Sequence, residues 1–172
     1  WGCLWWSRDE TEVYLVTANE DGRAYGLVAV DIESGQTRTV VHEIEDKHYI
    51  FNGTDIYIDK PSIAVINCSQ ELIWYSQRSG NGQLYLYDIA TGQLKNAITQ
   101  GDWVVLQIMY VNEQKRIVYF TAAGKEQGRH PHYSHLYSVS FDGGEPVLLT
   151  PEDAHHHFCG SANCGPQFSA SG

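Results

Sequence analysis

The sequence predicts an all-β fold built from three similar antiparallel sheets. The first observation is a phrase that occurs three times, at residues 28–36, 85–93 and, more loosely, 137–145. Each copy is an alternating apolar run that enters an acidic, glycine-containing turn, which is typical of a strand leading into a hairpin. The second observation is the period, because Asp31, Asp88 and Asp142 follow one another at intervals of 57 and 54 residues. Repeats of this length stack, since one unit cannot bury its own apolar face. We therefore expect about three antiparallel four-stranded blades of an incomplete β-propeller.

Each predicted blade contains four short runs rich in Val, Ile, Tyr, Trp and Thr, with the period of two that strands require. In the first blade, residues 1–43, the runs lie at 5–9, 13–17, 26–31 and 37–41. In the second blade, residues 62–100, they lie at 62–68, 72–76, 83–88 and 94–98. In the third blade, residues 102–150, they lie at 104–111, 116–121, 135–141 and 146–150. Residues 151–172 are expected to begin a further blade of the same domain, since 168–172 looks like the start of another hairpin.

Turn signals separate these runs. Clusters of Gly with Asp, Asn or Ser at residues 20–22, 79–82 and 142–144 can supply the positive φ angles of hairpin connections. No amphipathic run is long enough to predict a helix.

Composition argues against two classes of function. The chain has 11 Lys and Arg residues against 21 Asp and Glu residues, and its net charge is −10. Nucleic-acid binding needs clustered positive charge, so we expect no nucleic-acid partner. No apolar stretch approaches the roughly 18 residues needed to span a membrane. The chain begins at Trp1 rather than Met, and we expect it to be a piece of a longer protein.

Several phrases resemble the dipeptidyl-peptidase IV family of serine peptidases, in the same order along the chain. The phrase Trp74-Tyr-Ser-Gln-Arg-Ser-Gly80, followed by Gln83-Leu-Tyr-Leu-Tyr-Asp88, is similar to a phrase in the propeller of that family. Residues 98–104, 117–122, 139–151 and 168–172 resemble further family phrases. The resemblance covers nearly the whole chain and is weakest at residues 44–58.

The resemblance implies the propeller part of a serine exopeptidase. Family members remove a dipeptide from a peptide N-terminus with a C-terminal α/β-hydrolase domain, whose nucleophile lies in a Gly-x-Ser-x-Gly motif. This sequence has no such motif, and it lacks the paired glutamates with which the family propeller holds the substrate amine. Residues 102–105 begin like that glutamate motif, but Trp103 is better explained as part of a repeated Gly-x-Trp strand start. No catalytic, cofactor-binding or metal-binding residue is therefore predicted.

Two functions remain open from the sequence. The first is an accessory propeller that controls peptide access to a catalytic domain outside this chain; its partners would be that domain and the peptide substrates. The alternative is a non-enzymatic propeller module that binds proteins, because propellers host many functions. The resemblance also implies a parent protein that is periplasmic, extracellular or membrane-anchored.

Two histidine clusters are candidate binding sites. His155, His156 and His157 precede Cys159 and Cys164, but three adjacent histidines cannot all face one ion, so a solvated loop is the preferred interpretation. The second cluster, in a predicted hairpin insertion at residues 124–134 and its flank, comprises His130, His132 and His135. It is expected to be an exposed loop that could line the pore or contact a partner. The turns at Asp31 and Asp88 offer too few oxygens for calcium, and turn hydrogen bonding is expected instead.

The cysteines and glycosylation sequons leave alternatives open. Cys3, Cys68, Cys159 and Cys164 allow three pairings, and a small Cys159–Cys164 loop and free thiols are both compatible with the sequence. Sequons occur at Asn52 and Asn67.

The aromatic residues are expected to pack between neighbouring blades rather than to bind a ligand. They are Trp5, Trp6, Trp74, Tyr75, Tyr85 and Tyr87. A part-ring leaves two blade faces uncovered, which the sequence places near Trp5 and near Phe141, so self-association is expected.

Overall fold

Three antiparallel sheets account for the architecture of the chain. The structure is a computed structural model that describes residues 4–20, 23–44 and 62–156. Blade 1 consists of β1 (Leu4–Trp6), β2 (Glu12–Ala18), β3 (Ala24–Asp31) and β4 (Thr37–Ile44). Blade 2 consists of β5 (Ile63–Ile66), β6 (Glu71–Ser76), β7 (Gln83–Asp88) and β8 (Leu94–Ala97). Blade 3 consists of β9 (Val104–Asn112), β10 (Ile117–Ala123), β11 (His135–Ser140) and β12 (Val147–Leu148).

Within each blade the strands are hydrogen-bonded in sequence order, and every pair is antiparallel. The described residues contain no helix, so the predicted all-β fold of three four-stranded blades is confirmed. The β1–β2 and β3–β4 turns, and their counterparts, lie at one end of the blades, which we call the hairpin end. The opposite end, where β2, β6 and β10 finish, is called the loop end.

The repeated phrase folds into the same turn in blades 1 and 2. The Asp31 carboxylate accepts hydrogen bonds from the backbone and hydroxyl of Ser34, at 2.7 and 2.6 Å. The Asp88 carboxylate does the same with Thr91, at 2.8 Å each. The expected turn hydrogen bonding is therefore confirmed, and the hydrogen bonds from Ser34 lower the pKa of Asp31. Gly92 ends the second turn at φ 71°, and a Cβ there would lie 2.5 Å from the Val40 carbonyl oxygen of blade 1.

The third copy of the phrase forms a different turn. Ser140, and not Asp142, occupies the position of Asp31 and Asp88. The residue after Asp88, Ile89, donates its N–H to the Gln70 carbonyl, and the residue after Ser140, Phe141, donates its N–H to the Arg116 carbonyl in the same way. Asp142 lies two residues further on, where its carboxylate accepts a hydrogen bond from the Arg116 guanidinium at 2.9 Å. The third acidic residue thus serves an ion pair rather than the turn.

Two apolar cores hold the blades together, one at each junction. The core between blades 1 and 2 contains Tyr14, Tyr25, Leu27, Ala29, Val40, Val41, Ile63, Leu72, Trp74, Tyr85, Tyr87 and Ile89. The core between blades 2 and 3 contains Ile66, Ile73, Tyr75, Leu84, Leu86, Ile98, Trp103, Val105, Val118, Phe120, Ala122, Tyr137, Val139 and Phe141. Successive residues of a strand point to opposite faces, so Trp74 and Tyr75, both fully buried, enter different cores. Blade 2 is therefore buried on both faces.

Two aromatic positions differ from expectation. Trp5 packs against the core of the first junction, whereas Trp6 is 49% exposed on the opposite face, because neighbouring residues of β1 alternate. Phe141 is fully buried between blades 2 and 3, so the prediction that it marks an uncovered face is wrong.

In the described ranges no helix is long and apolar enough to cross a membrane.

Candidate functional site

The stretch at residues 74–80 places the guanidinium of Arg78 at the junction between blades 1 and 2, which we call the first junction. Arg78 follows β6 at the loop end, and its guanidinium lies 4.4 Å from the centre of the Tyr85 ring. It donates to the Tyr87 hydroxyl at 2.6 Å and to Ser76 Oγ at 3.0 Å, and it forms an ion pair with Glu43 of blade 1. Because cation–π and ionic contacts converge on one planar group, Arg78 braces blade 1 against blade 2.

Aromatic residues pack in the same junction, next to the contacts of Arg78. The Tyr25 and Trp74 rings stack at 4.8 Å with an angle of 16°. The Tyr25 hydroxyl donates to the backbone carbonyl of Tyr75 at 2.6 Å. Burial raises the pKa of Tyr25 far above its ordinary range, so the hydroxyl stays a neutral donor.

A second arginine braces this junction at the hairpin end. Arg38 of β4 pairs with both carboxylate oxygens of Glu12, at 2.9 and 2.8 Å. Its other terminal nitrogen donates to the backbone carbonyls of Ile89 and Ala90 in blade 2, at 2.7 and 3.1 Å. Blades 1 and 2 are therefore fastened at both ends.

The junction between blades 2 and 3 has a buried carboxylate at its hairpin end. The Glu71 side chain is 2% exposed and accepts hydrogen bonds from Arg116 at 2.6 Å and from Lys95. Burial by itself would raise the pKa of Glu71, but hydrogen bonds from Arg116, Lys95 and Ser69 outweigh it and lower the pKa to about 2. Glu71 is therefore ionised at neutral pH. It connects β6, where it lies, with Lys95 of β8 and with Arg116, which directly precedes β10 of blade 3.

At the loop end of this junction an amide side chain bridges the two blades. Gln83 donates to the Trp103 carbonyl at 2.6 Å, and Val105 N–H donates to the Gly82 carbonyl at 2.8 Å. Trp103 immediately precedes β9 and stacks with Phe120 and Tyr137, with ring centres 6.1 and 6.4 Å apart. Trp103 thus lies directly before the strand that the sequence predicted at this point, and β9 begins at Val104.

The sequence does not mark the bracing residues as a group. Arg78 lies within a quoted phrase, but Glu71 and Arg116 lie outside the repeated turn. One signal was available, because Glu12 and Glu71 occupy the same repeat position, opposite Asp31 and Asp88 in the strand register. A carboxylate that recurs at one position of an apolar strand needs a cation nearby if it is buried, and that requirement could have identified the bracing arginines.

The second histidine cluster lies at the loop end of blade 3. His130 stacks on Tyr133 at 5.0 Å and lies 5.5 Å from His132, both measured between ring centres. Tyr133 in turn lies 6.1 Å from His155. His130, His132 and His155 are exposed, as expected for a loop, and the structure brings the two predicted clusters together.

His135 differs from the exposed loop that was expected. It is the first residue of β11, it pairs with Ala122 of the core between blades 2 and 3, and it is 2% exposed. Its Nδ1 lies 3.2 Å from the Thr150 carbonyl oxygen, and its ring lies 5.3 Å from that of His156. Across residues 4–20, 23–44 and 62–156, no group of three or more His, Cys, Asp or Glu side chains is arranged to hold a metal ion.

Other predicted candidates fall partly outside the described residues. Cys68 is an exposed free thiol, and Asn67 beside it is half-buried in the β5–β6 turn. The remaining candidates, which lie outside the described ranges, are Cys3, Asn52, His157, Cys159, Cys164 and the proposed blade start at 168–172.

Comparison with known proteins agrees with this architecture. The solved structure of Porphyromonas gingivalis dipeptidyl peptidase 4 superposes with a TM-score of 0.68 at 17% identity, covering 87% of this chain and 19% of that one. TolB from Acinetobacter baumannii gives a TM-score of 0.55 at 14% identity, covering 89% and 33%. At these identities the likeness shows the fold alone.

Sequence comparison reaches further. Dipeptidyl peptidase 4 from Trichophyton rubrum is 30% identical over 145 residues, which are 81% of this chain and 17% of that protein. The chain thus spans less than a fifth of that relative's length. A family model described as the dipeptidyl peptidase IV (DPP IV) N-terminal region matches residues 2–170. The chain therefore belongs to the family of the DPP IV N-terminal region.

Proposed function

We propose that this chain is part of the accessory propeller of a DPP IV-like serine exopeptidase and restricts peptide access to a catalytic domain elsewhere in the parent protein. The observation that carries the proposal is the bracing of both blade junctions at both ends. Arg78 and Arg38 fasten the first junction, and Gln83 and the Glu71–Arg116 pair fasten the second. A wall that selects substrates by size must not open when a large molecule presses on it, and these contacts resist such opening.

The chain performs no chemistry in this proposal. Its sequence contains no Gly-x-Ser-x-Gly motif, so the nucleophile and its base belong to another part of the parent. Its partners are that α/β-hydrolase domain and the peptide substrates that pass the wall. Membership of the family and the printed names of the relatives support a dipeptidyl-peptidase activity for the parent. The family resemblance also supports a periplasmic, extracellular or membrane-anchored parent.

The proposal is tested on the parent protein purified as a full chain. Hydrolysis of a dipeptide chromogenic substrate with Pro or Ala in second position is compared with hydrolysis of peptides of increasing length. The double variant Arg38→Ala, Arg78→Ala removes two braces of the first junction. We expect it to raise kcat/KM for the longest peptides several-fold relative to the chromogenic substrate, because a looser wall admits larger molecules.

A matched control is Arg129→Ala, since the Arg129 guanidinium donates to the backbone carbonyls of Pro151 and Glu152, which follow β12, and makes no hydrogen bond across either junction among the described residues. It should leave the length dependence unchanged. An unchanged length dependence in the double variant would contradict the gating role. Hydrolysis by the 172-residue chain alone, abolished by substitution of one of its own serines, would contradict the proposal that the nucleophile lies in another part of the parent protein.

A further inference from the structure

Two histidines at the loop end of blade 3 each have one buried ring nitrogen without a hydrogen-bond partner. They are His135, the first residue of β11, and His156, which follows β12. Nε2 of His135 and Nδ1 of His156 are shielded from solvent, and neither has a partner among the described residues. A buried polar atom that lacks a partner costs free energy, so native structures usually supply one. These two nitrogens therefore point to an occupant that is not part of the chain.

The other nitrogen of each ring shows where its proton lies. Nδ1 of His135 lies 3.2 Å from the Thr150 carbonyl oxygen, which can only accept, so this nitrogen carries the proton. Nε2 of His156 lies 3.5 Å from a carboxylate oxygen of Glu152, which places the proton of the neutral ring there. Each partnerless nitrogen is therefore left with a lone pair. Histidines that bind metals are held in this way, since their second nitrogen donates to a carbonyl or a carboxylate.

Main-chain hydrogen bonds hold the two rings beside each other. His156 N–H donates to the Ser134 carbonyl at 3.0 Å, and Leu136 N–H donates to Thr150 Oγ1 at 2.9 Å. The centres of the His135 and His156 rings lie 5.3 Å apart. Two imidazoles on one tetrahedral zinc ion, with Zn–N bonds of about 2.0–2.1 Å, have ring centres about 5 Å apart. The observed spacing therefore matches that of two histidines that share one metal ion.

Two exposed histidines at the same end of the blade differ in their hydrogen bonding. Nδ1 of His130 accepts from His132 N–H at 3.3 Å, and Nδ1 of His155 accepts from Ser134 N–H at 3.2 Å. A neutral ring whose Nδ1 accepts a hydrogen bond carries its proton on Nε2, so neither nitrogen offers a lone pair to a metal. The hydrogen bonds thus distinguish His135 and His156 from these two exposed rings.

We propose that Nε2 of His135 and Nδ1 of His156 bind one divalent transition-metal ion such as Zn²⁺. Imidazole nitrogen suits zinc, whereas Mg²⁺ and Ca²⁺ prefer oxygen ligands. Among the described residues no group of three ligand side chains is arranged to hold a metal ion, so these residues supply two ligands and the other positions of the ion are open to water. The ion connects the start of β11 with the segment after β12. The proposal does not depend on the peptidase role.

Zinc binding by the parent protein tests the proposal. The full chain is freed of any polyhistidine tag and stripped of metal with a chelator, and equilibrium dialysis then gives the number of bound ions and their dissociation constants. His135→Gln and His156→Gln should each weaken the binding of one zinc ion at least about tenfold, because each removes one of the two ligands. The His156 side chain is 23% exposed, so His156→Gln tests the site even if His135→Gln does not fold. Zinc should also raise the unfolding temperature of the wild type more than that of His156→Gln.

A variant behind the ligands separates a built site from general attraction of zinc to the surface. Glu152→Gln removes the carboxylate next to His156 Nε2 but no ligand, and it should weaken zinc binding about tenfold. The matched control is Asp153→Asn, which removes the same charge from the next exposed residue and should leave the affinity unchanged. The double variant His130→Gln, His132→Gln removes two exposed imidazoles from the same end of the blade, and it should also leave the affinity unchanged.

Three results would overturn the proposal. The first is a wild-type protein that binds no zinc, since the two lone pairs would then be satisfied by water. The second is zinc binding that is the same in the wild type and in His156→Gln. The third is a double variant of His130 and His132 that loses the bound ion, since that would place the metal on the exposed cluster.

Discussion

The buried carboxylate of Glu71 makes the stability of this chain depend on pH in a predictable direction. Its pKa is about 2 in the folded chain, against an ordinary value of 4.5. One pKa unit corresponds to about 1.4 kcal/mol, so the ionised form stabilises the fold by about 3 kcal/mol above its ordinary pKa if screening is ignored. Lys95 and Arg116 are 44% and 33% exposed, and solvent screening reduces our expectation for Glu71→Gln to a loss of about 2 kcal/mol at pH 7.

The sign follows from the depressed pKa. The stabilisation is fully present above pH 4.5 and is lost as the pH falls through about 2, when the folded carboxylate takes up a proton. The difference between wild type and Glu71→Gln should therefore shrink by about half between pH 7 and about pH 3. The free energy of unfolding of both proteins is measured at each pH by urea titration, with tryptophan fluorescence as the signal.

Glu33→Gln is the matched control, because Glu33 is exposed in the β3–β4 turn and its substitution removes the same charge. It should change the free energy of unfolding by less than about 0.5 kcal/mol at either pH. If Glu71→Gln behaves like this control at pH 7, or if its effect does not change with pH, the account of Glu71 as an ionised brace is refuted.

Three further predictions concern blade 1 and its junction with blade 2, and they are checked by the same unfolding measurement. Arg78→Lys should lower the free energy of unfolding by about 1–2 kcal/mol, since lysine cannot stack on the Tyr85 ring and at the same time make the hydrogen bonds of the guanidinium, such as the one to Tyr87. An unchanged urea midpoint would contradict the bracing role of Arg78. Gly26→Ala should be more damaging than Gly35→Ala, because a Cβ at Gly26 would lie 2.3 Å from the Val41 carbonyl oxygen, whereas at Gly35 it meets nothing within 4 Å and costs only the strain of φ 70°; the reverse order would refute the close approach. Trp74→Phe should cost less than the about 3–5 kcal/mol expected for Trp74→Ala, because phenylalanine refills part of the space against Tyr25 and the buried indole N–H has no hydrogen-bond partner among the described residues; equal losses would show that packing against Tyr25 does not set the cost.

Much of the fold could be predicted because strand periodicity and turn chemistry are local. The predicted strand at residues 83–88 coincides with β7, and the turns after Asp31 and Asp88 form because the residues three positions later are Ser and Thr. The third turn was harder to predict, since Asp142 fits the spacing of the repeat but Ser140 holds the equivalent place. Spacing counts residues, whereas register depends on hydrogen bonds between strands.

The sequence by itself determined the all-β class, the three repeats, the family and the absence of a nucleophile motif, because each of these is written in contiguous residues. Only the tertiary structure decided which face each aromatic residue takes: Trp5 inward, Trp6 outward and Phe141 buried. It also decided that Glu71 meets Arg116, and that Arg78 meets Glu43 across 35 residues of sequence. Such partners come together only when the blades stack, and the stacking is driven by apolar burial, which has no preferred direction and leaves no local signature in the chain.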